Sequence, residues 1–212
     1  MASEQRLVTG SAGSIELFID HPAQAPCGMA LVAHPHPLFG GTADNKVVQT
    51  IARALVQIGF VAVRPNFRGI GQSAGTFDGG QGESKDLLAV LDQLGSEFAG
   101  ELVLAGFSFG AFVQTLVAEA LAARGSPAQA LALVGLAVTN FQPARVPEDT
   151  LLIHGELDDT VPLAAVLDWA RPQDVTVMVV PGADHFFHRR LMTIKRLVLA
   201  NWRGRAWRGD DV

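Results

Sequence analysis

Leu104-Ala105-Gly106-Phe107-Ser108-Phe109-Gly110-Ala111 is the stretch around which this chain is organised. The apolar run Leu102 to Ala105 predicts a short strand buried on both faces. Immediately after it, Phe112, Val113, Leu116, Val117, Ala120 and Leu121 recur at helical spacing. Between strand and helix lies Gly-Phe-Ser-Phe-Gly, which fits the G-x-S-x-G pattern of a nucleophile elbow. A strand that turns at once into a helix holds its central residue in a strained conformation and pushes that side chain clear of the sheet. The chain passes so close to itself that the flanking positions must nearly lack side chains, a demand Gly106 and Gly110 meet. A helix starting just after Ser108 also turns free N–H groups, and the positive end of its dipole, toward any anion formed there.

Composition narrows the setting. The 212 residues fit one large domain, 1–212, with no linker-like stretch. With 49% hydrophobic and 17% charged residues the chain carries a sizeable core, which excludes disorder. The net charge is −5 and the basic residues are scattered, so nucleic acid and anionic membranes are poor partners. Cys27 stands alone, which rules out a disulfide framework and predicts a reducing compartment. Met1 to Arg6 lacks the apolar core of a signal peptide, and no apolar run approaches the ~18 residues of a membrane span. A soluble, cytoplasmic protein is expected.

Outward from the elbow, the pattern is regular. Arg6 to Thr9 and Ser14 to Ile19 alternate around Gly10-Ser11-Ala12-Gly13 and predict an antiparallel hairpin. Strands are expected at Gly28 to Ala33, Phe60 to Val63, Leu131 to Val138, Leu151 to Ile153 and Val175 to Val180. Helices are expected at Asp44 to Ile58, Ser84 to Leu94, Leu163 to Trp169 and His188 to Trp202, with a frayed tail from Arg203. After the hairpin, strand and helix alternate, so the fold class is α/β: a mostly parallel sheet covered on both faces. Ligands of such sheets sit at the carboxyl ends of the strands.

A serine hydroxyl is a weak nucleophile at neutral pH, so Ser108 needs a base, and the base an orienting acid. Elbow proteins carry them in the order Ser, Asp or Glu, His. Leu151 to Pro162 follows a strand and offers Glu156, Asp158 and Asp159; Val180 to Phe187 follows the last strand and offers His185. A tetrahedral oxyanion also needs two preorganised donors. The N–H of Phe109 supplies one by the geometry of the elbow. The loop His34-Pro35-His36-Pro37-Leu38-Phe39 should supply the other; Pro35 and Pro37 have no N–H, which leaves Leu38 as first choice and His36 as second. The chain has no tyrosine to offer a hydroxyl instead. His34-x-His36 has no matching ligand cluster, so no metal is expected. His154 reads as a structural strand-end histidine, His188 as the start of the last helix, and Cys27 as core. Gly69-Ile70-Gly71-Gln72-Ser73-Ala74 fits a dinucleotide pattern, but Gly75 to Gly82 continues as loop where a helix N-terminus is required.

Taken together, the elbow at Ser108, His154-Gly155-x-x-Asp158-x-x-Val161-Pro162 and Gly182-x-Asp184-His185 resemble the α/β-hydrolase superfamily over nearly the whole chain from Leu31. Asn66-Phe67-Arg68-Gly69-Ile70-Gly71-Gln72-Ser73 is similar to the D-x-R-G-x-G-x-S loop of that superfamily, with Asn66 in place of Asp in an architectural position. His34 to Thr42 with Asn45-Lys46-Val47-Val48 resembles a small bacterial branch related to dienelactone hydrolases, with His-Pro where His-Gly is usual. The resemblance implies a triad of Ser108, His185 and Asp158, the acid lying four residues after the histidine of His-Gly. It also implies a serine hydrolase of a small-molecule ester or thioester, without a cofactor. An acyltransferase using the same triad and a non-catalytic binding protein on this fold are the alternatives, and oligomeric state stays open. Many members insert a lid after the strand that follows the elbow helix; here Thr139 to Thr150 is too short for a helical cap. An open, shallow site walled by Leu38, Phe39, Phe109 and Phe186 is expected, suited to short acyl groups.

Overall fold

The computed structural model describes residues 3–206, with side chains to residue 202. Among these, eight strands form one sheet in the order β1-β2-β4-β3-β5-β6-β7-β8. Strands β1 (Glu4–Gly10) and β2 (Gly13–Asp20) make the expected hairpin, and β2 pairs antiparallel with β4 (Phe60–Pro65). From there to the far edge every pairing is parallel: β4 with β3 (Gly28–Ala33), then β5 (Glu101–Phe107), β6 (Ala130–Val134), β7 (Leu151–Gly155) and β8 (Val177–Val180).

The largely apolar inner strands serve two layers at once because successive side chains leave opposite faces. In β3, Met29, Leu31 and Ala33 join one core while Ala30 and Val32 join the other. The first core is closed by α2 (Gln81–Leu94), α3 (Phe109–Ala123) and α4 (Leu163–Ala170), through Leu87, Leu91, Val113, Val117 and Val166. The second is closed by α1 (Lys46–Gln57) and α5 (Leu191–Ala206), through Val48, Ile51, Leu55, Ile194 and Val198. Each such buried aliphatic side chain contributes roughly 1.5–3 kcal/mol relative to exposure. The cap of α1 is Asn45, whose Oδ1 accepts from the N–H groups of Val47 (2.9 Å) and Val48 (3.4 Å).

Most boundaries shift by one or two residues from the sequence reading, and three larger departures have a local reason. Strand β6 stops at Val134, not Val138, because Gly135 turns the backbone to φ 56°. Helix α2 begins at Gln81, ahead of Ser84, since the Glu83 carboxylate accepts from the N–H groups of Asp78 (2.9 Å) and Gly80 (2.8 Å) and closes the first turn. Helix α5 starts at Leu191 instead of His188, after Phe187 and Arg189 adopt left-handed φ of 53° and 62°. It also continues to Ala206, into the stretch expected to fray; residues 207–212 lie outside the described residues. Strand β6 connects to β7 through 135–150 without a helix, so no lid is built there. No described helix is long and apolar enough to cross a membrane.

Candidate active site

Ser108 sits between β5 and α3 with φ 56° and ψ −117°, a conformation L-residues adopt only under constraint. The constraint is close packing of backbone. A Cβ on Gly106 would lie 2.5 Å from the carbonyl of Gly110, and one on Gly110 would lie 2.4 Å from the carbonyl oxygens of Ala33 and His34. No side chain fits at either position, which is why the pattern demands glycine there.

The carboxyl end of the sheet brings the three expected residues together. His185 Nε2 lies 3.0 Å from Ser108 Oγ, and His185 Nδ1 lies 2.7 Å from Asp158 Oδ2. All three are buried. The second carboxylate oxygen of Asp158 accepts from the N–H groups of Thr160 (3.0 Å) and Val161 (2.7 Å), so the loop after β7 fixes the acid from behind. Asp159 is exposed, and Glu156 points outward to accept from Gly182 N–H at 2.8 Å. The neighbouring acids are therefore solvent or loop groups.

Two other buried histidines stand at strand ends. His34 Nε2 accepts from Phe67 N–H (2.9 Å), so its Nδ1 carries the proton and donates to Pro35 O (2.6 Å). Burial pushes its pKa down to about 4, only partly countered by that carbonyl, and the ring is neutral. His154 Nε2 donates to Val161 O at 2.9 Å and comes within 3.4 Å of Asp158 Oδ2, while burial again lowers its pKa. Both are structural: they tie strand-end loops together. Among the described residues, no group of three His, Cys, Asp or Glu side chains could hold a metal ion.

On the oxyanion side, the two candidate donors differ in their bonding. Pro37–Phe39 is a 3-10 turn capped by His36, and the Leu38 N–H faces His36 Nδ1 at 3.3 Å. Leu38 N–H therefore already has an acceptor. His36 N–H has no acceptor among the described residues, so of the two candidate donors it is the one left without a bond in the loop. The N–H of Phe109, in the first residue of α3, has no intrahelical acceptor.

The walls differ in part as well. Leu38 (68% exposed), Phe39 (85%) and Phe186 (50%) do stand at the rim. Phe109 does not: its ring is fully buried among Phe67, Phe77, Phe112, Phe141 and the His36 ring. Gly135 was missed altogether. A Cβ there would lie 3.2 Å from the Phe107 ring and 3.4 Å from His185 Cε1, so this glycine makes room for Phe107, on whose ring the imidazole sits with centroids 5.1 Å apart. The available signal was a glycine directly after an apolar strand at the carboxyl end of the sheet.

Asn66 confirms its architectural reading. Its Nδ2 donates to Glu16 Oε2 (2.7 Å), and its Oδ1 accepts from Ala43 N–H (2.9 Å). An Asp here would set a second carboxylate against Glu16. Burial raises the Glu16 pKa, yet donation from Gln72 N–H and the Asn66 and Gln72 amides more than offsets it and holds the carboxyl below its usual value.

Residues 19–142, more than half of the chain, match the family described as X-Pro dipeptidyl-peptidase (S15 family). Among solved structures the chain is similar to an alpha-beta serine hydrolase homologue from Coxiella burnetii, at 36% identity over 95% of this chain and 98% of that one, TM-score 0.85. It is equally similar to XC6422 from Xanthomonas campestris, a serine hydrolase without lid, at 34% identity over 96% of this chain and 94% of that one, TM-score 0.85. The fold also matches that of a dienelactone hydrolase from Anabaena variabilis, at 20% identity over 96% and 99% of the two chains, TM-score 0.72.

Proposed function

We propose, because the chain belongs to the X-Pro dipeptidyl-peptidase (S15) family and is an α/β serine hydrolase of the lidless kind, that it cleaves a small carboxylic ester or thioester through an acyl-enzyme on Ser108. One observation carries this reading: the unbroken relay from Ser108 Oγ through His185 to Asp158, at 3.0 and 2.7 Å, on a strained strand-to-helix turn.

The relay has a direct chemical use. Ser108 Oγ attacks the carbonyl carbon while His185 Nε2 takes its proton; Asp158 keeps the other ring proton on Nδ1 and stabilises the imidazolium. The N–H groups of Phe109 and His36 hold the oxyanion, each worth roughly 10²–10³-fold in rate if it acts like the oxyanion donors of other serine hydrolases. His185 then returns the proton to the leaving oxygen or sulfur, and water, activated by the same base, releases the acid. No cofactor enters these steps.

An ester suits this site better than the peptide in the family description. The exposed side chains beside the site, Leu38, Phe39 and Phe186, are apolar and favour an uncharged ester over a peptide with a free amino group. Acyl transfer to an alcohol uses the same relay and differs only in the acceptor. The test is labelling by a fluorophosphonate, with Ser108→Ala as control, followed by ester, thioester and X-Pro amide substrates. Labelling and turnover are expected in the parent and absent from Ser108→Ala. Labelling that persists in Ser108→Ala, or turnover of the X-Pro amide alone, overturns the reading; a folded parent that is never labelled indicates a binding protein.

A further inference from the structure

We infer that Phe186 forms a leaving-group subsite, so that the preferred substrates are esters of apolar, ring-bearing alcohols; this rests on Ser108 and His185 acting as proposed above. Directly after His185 the chain passes through two left-handed residues that are not glycine, Phe187 at φ 53° and Arg189 at φ 62°. Bulky residues hold this conformation at a cost of roughly 1–3 kcal/mol each, and only where the surroundings impose it.

The local result is a split between neighbouring phenylalanines. Phe187 is fully buried in the core under α5, while Phe186 is left half-exposed. The Phe186 ring is nonetheless braced. It stands edge-to-face on His185 with centroids 5.2 Å apart, contacts Phe107 at 6.2 Å and flanks His188 at 5.9 Å. Leu157, 64% exposed, is drawn to the same loop by its N–H bond to Ala183 O at 2.9 Å.

Reaction geometry says which part of the substrate meets this ring. In the collapse of the tetrahedral intermediate, the bond between carbonyl carbon and leaving oxygen breaks while the Ser108 ester bond remains. The proton that left Ser108 passes from His185 Nε2 to that oxygen, and a neutral alcohol departs. The leaving oxygen must therefore come within hydrogen-bond reach of Nε2. Its carbon substituent then lies beside the residue that flanks the imidazole, Phe186. The oxyanion is turned the other way, toward the N–H groups of Phe109 and His36. A ring on the alcohol meets the aromatic face or edge of Phe186, an arrangement that contributes beyond the area it buries.

The experiment compares kcat/KM for phenyl acetate and methyl acetate in the parent, Phe186→Ala and Phe186→Leu. Intrinsic ester reactivity cancels when each ratio is compared with the parent's. The phenyl-to-methyl ratio should fall about tenfold in Phe186→Ala and less in Phe186→Leu. A second readout uses acceptors: with benzyl alcohol and methanol competing for one acetyl-enzyme, Phe186→Ala should lose the preference for benzyl alcohol. Fluorophosphonate labelling, whose leaving group is fluoride and needs no such subsite, should persist in both variants. An unchanged ratio overturns the inference, as does an equal loss on both esters or a loss of labelling in the variants, since Phe186 would then be bracing His185. Failure of the parent itself to be labelled at Ser108 removes the underlying hydrolase reading instead.

Discussion

Asparagine at position 158 should silence the enzyme while leaving its architecture in place. Asp158 makes two separable sets of contacts: Oδ1 accepts from the N–H groups of Thr160 and Val161, and Oδ2 faces His185 Nδ1 at 2.7 Å. An Asn keeps an acceptor for the two backbone donors, because its carbonyl oxygen can occupy the Oδ1 position. Its amide nitrogen then replaces Oδ2 and is itself a donor. His185 Nδ1 must become an acceptor, its proton moves to Nε2, and Nε2 can no longer take the proton of Ser108 3.0 Å away. A wrong tautomer in an intact site costs up to about 10⁴-fold in kcat, or roughly 5.5 kcal/mol of transition-state stabilisation. Asp159 is one residue along, exposed, with only a 3.5 Å contact from Thr160 Oγ1 to its carboxylate. Its replacement by Asn should change kcat little and stability by about 1 kcal/mol or less. The assay is kcat on one activated acetate ester for both variants, with circular dichroism to confirm folding. A folded Asp158→Asn enzyme with near-parental kcat, or a dead Asp159→Asn enzyme, refutes the assignment of the acid.

Two further outcomes follow from neighbouring residues. Gly135→Ala should cost stability, roughly 1–2 kcal/mol for a left-handed residue with a Cβ, and should lower kcat by about tenfold as the new methyl presses the Phe107 ring that lies against His185; urea titration and steady-state kinetics read the two effects, and an unchanged kcat in a folded variant contradicts the seating role. His34 makes folding pH-dependent: above its unfolded value of 6.5 it is neutral in both states, and between there and about 4 only the unfolded chain takes up the proton, so stability falls as pH falls. The loss amounts to about 3 kcal/mol by pH 4, and His34→Asn, which keeps a donor and an acceptor, should show a flatter urea-stability profile over that window. Equal slopes in parent and variant would count against it.

What the sequence revealed, and what it hid, follows physical lines. The elbow was legible because its requirement is steric and local: Gly106 and Gly110 stand where any Cβ would strike backbone within 2.5 Å. Asp158 and His185 were legible because parallel strands deliver their carboxyl ends to one edge of the sheet, so position after a strand stands in for position in space. The bonding of the two candidate oxyanion donors was not, since proline spacing excludes Pro35 and Pro37 but says nothing of the His36 ring bending back onto Leu38 N–H. The fate of the Phe109 side chain was hidden for a similar reason. At the first residue of α3 its backbone faces the site, while its ring belongs to the buried aromatic cluster, a choice made by Phe67, Phe77 and Phe141 from distant parts of the chain. Gly135 escaped because the apolar run 131–138 reads as one strand; only the observed φ of 56° shows the chain leaving the sheet there.

Three buried histidines occupy strand ends in this fold, and the difference between them lies wholly in their partners. His34 spends both ring nitrogens on backbone, one donating and one accepting, so its tautomer is fixed and burial keeps it neutral. His154 gives its Nε2 proton to Val161 O, and its buried Nδ1 has no partner among the described residues; protonation there would add a donor with nothing to receive it. Neither can shuttle a proton without breaking the loop it secures. His185 alone lies between a hydroxyl that can lose a proton and a carboxylate that can stabilise the resulting charge, and neither partner is part of the backbone. His154 also comes within 3.4 Å of Asp158 Oδ2, but with the Nε2–H that Val161 O already holds, whereas His185 meets the same oxygen at 2.7 Å through Nδ1 and leaves Nε2 to the Ser108 hydroxyl. The same residue type at the same depth thus either staples loops, as His34 and His154 do, or bridges two side chains, as His185 does. Under the proposed mechanism the mobile proton runs on the line from Ser108 to Asp158, and that line is where substitutions should act most sharply.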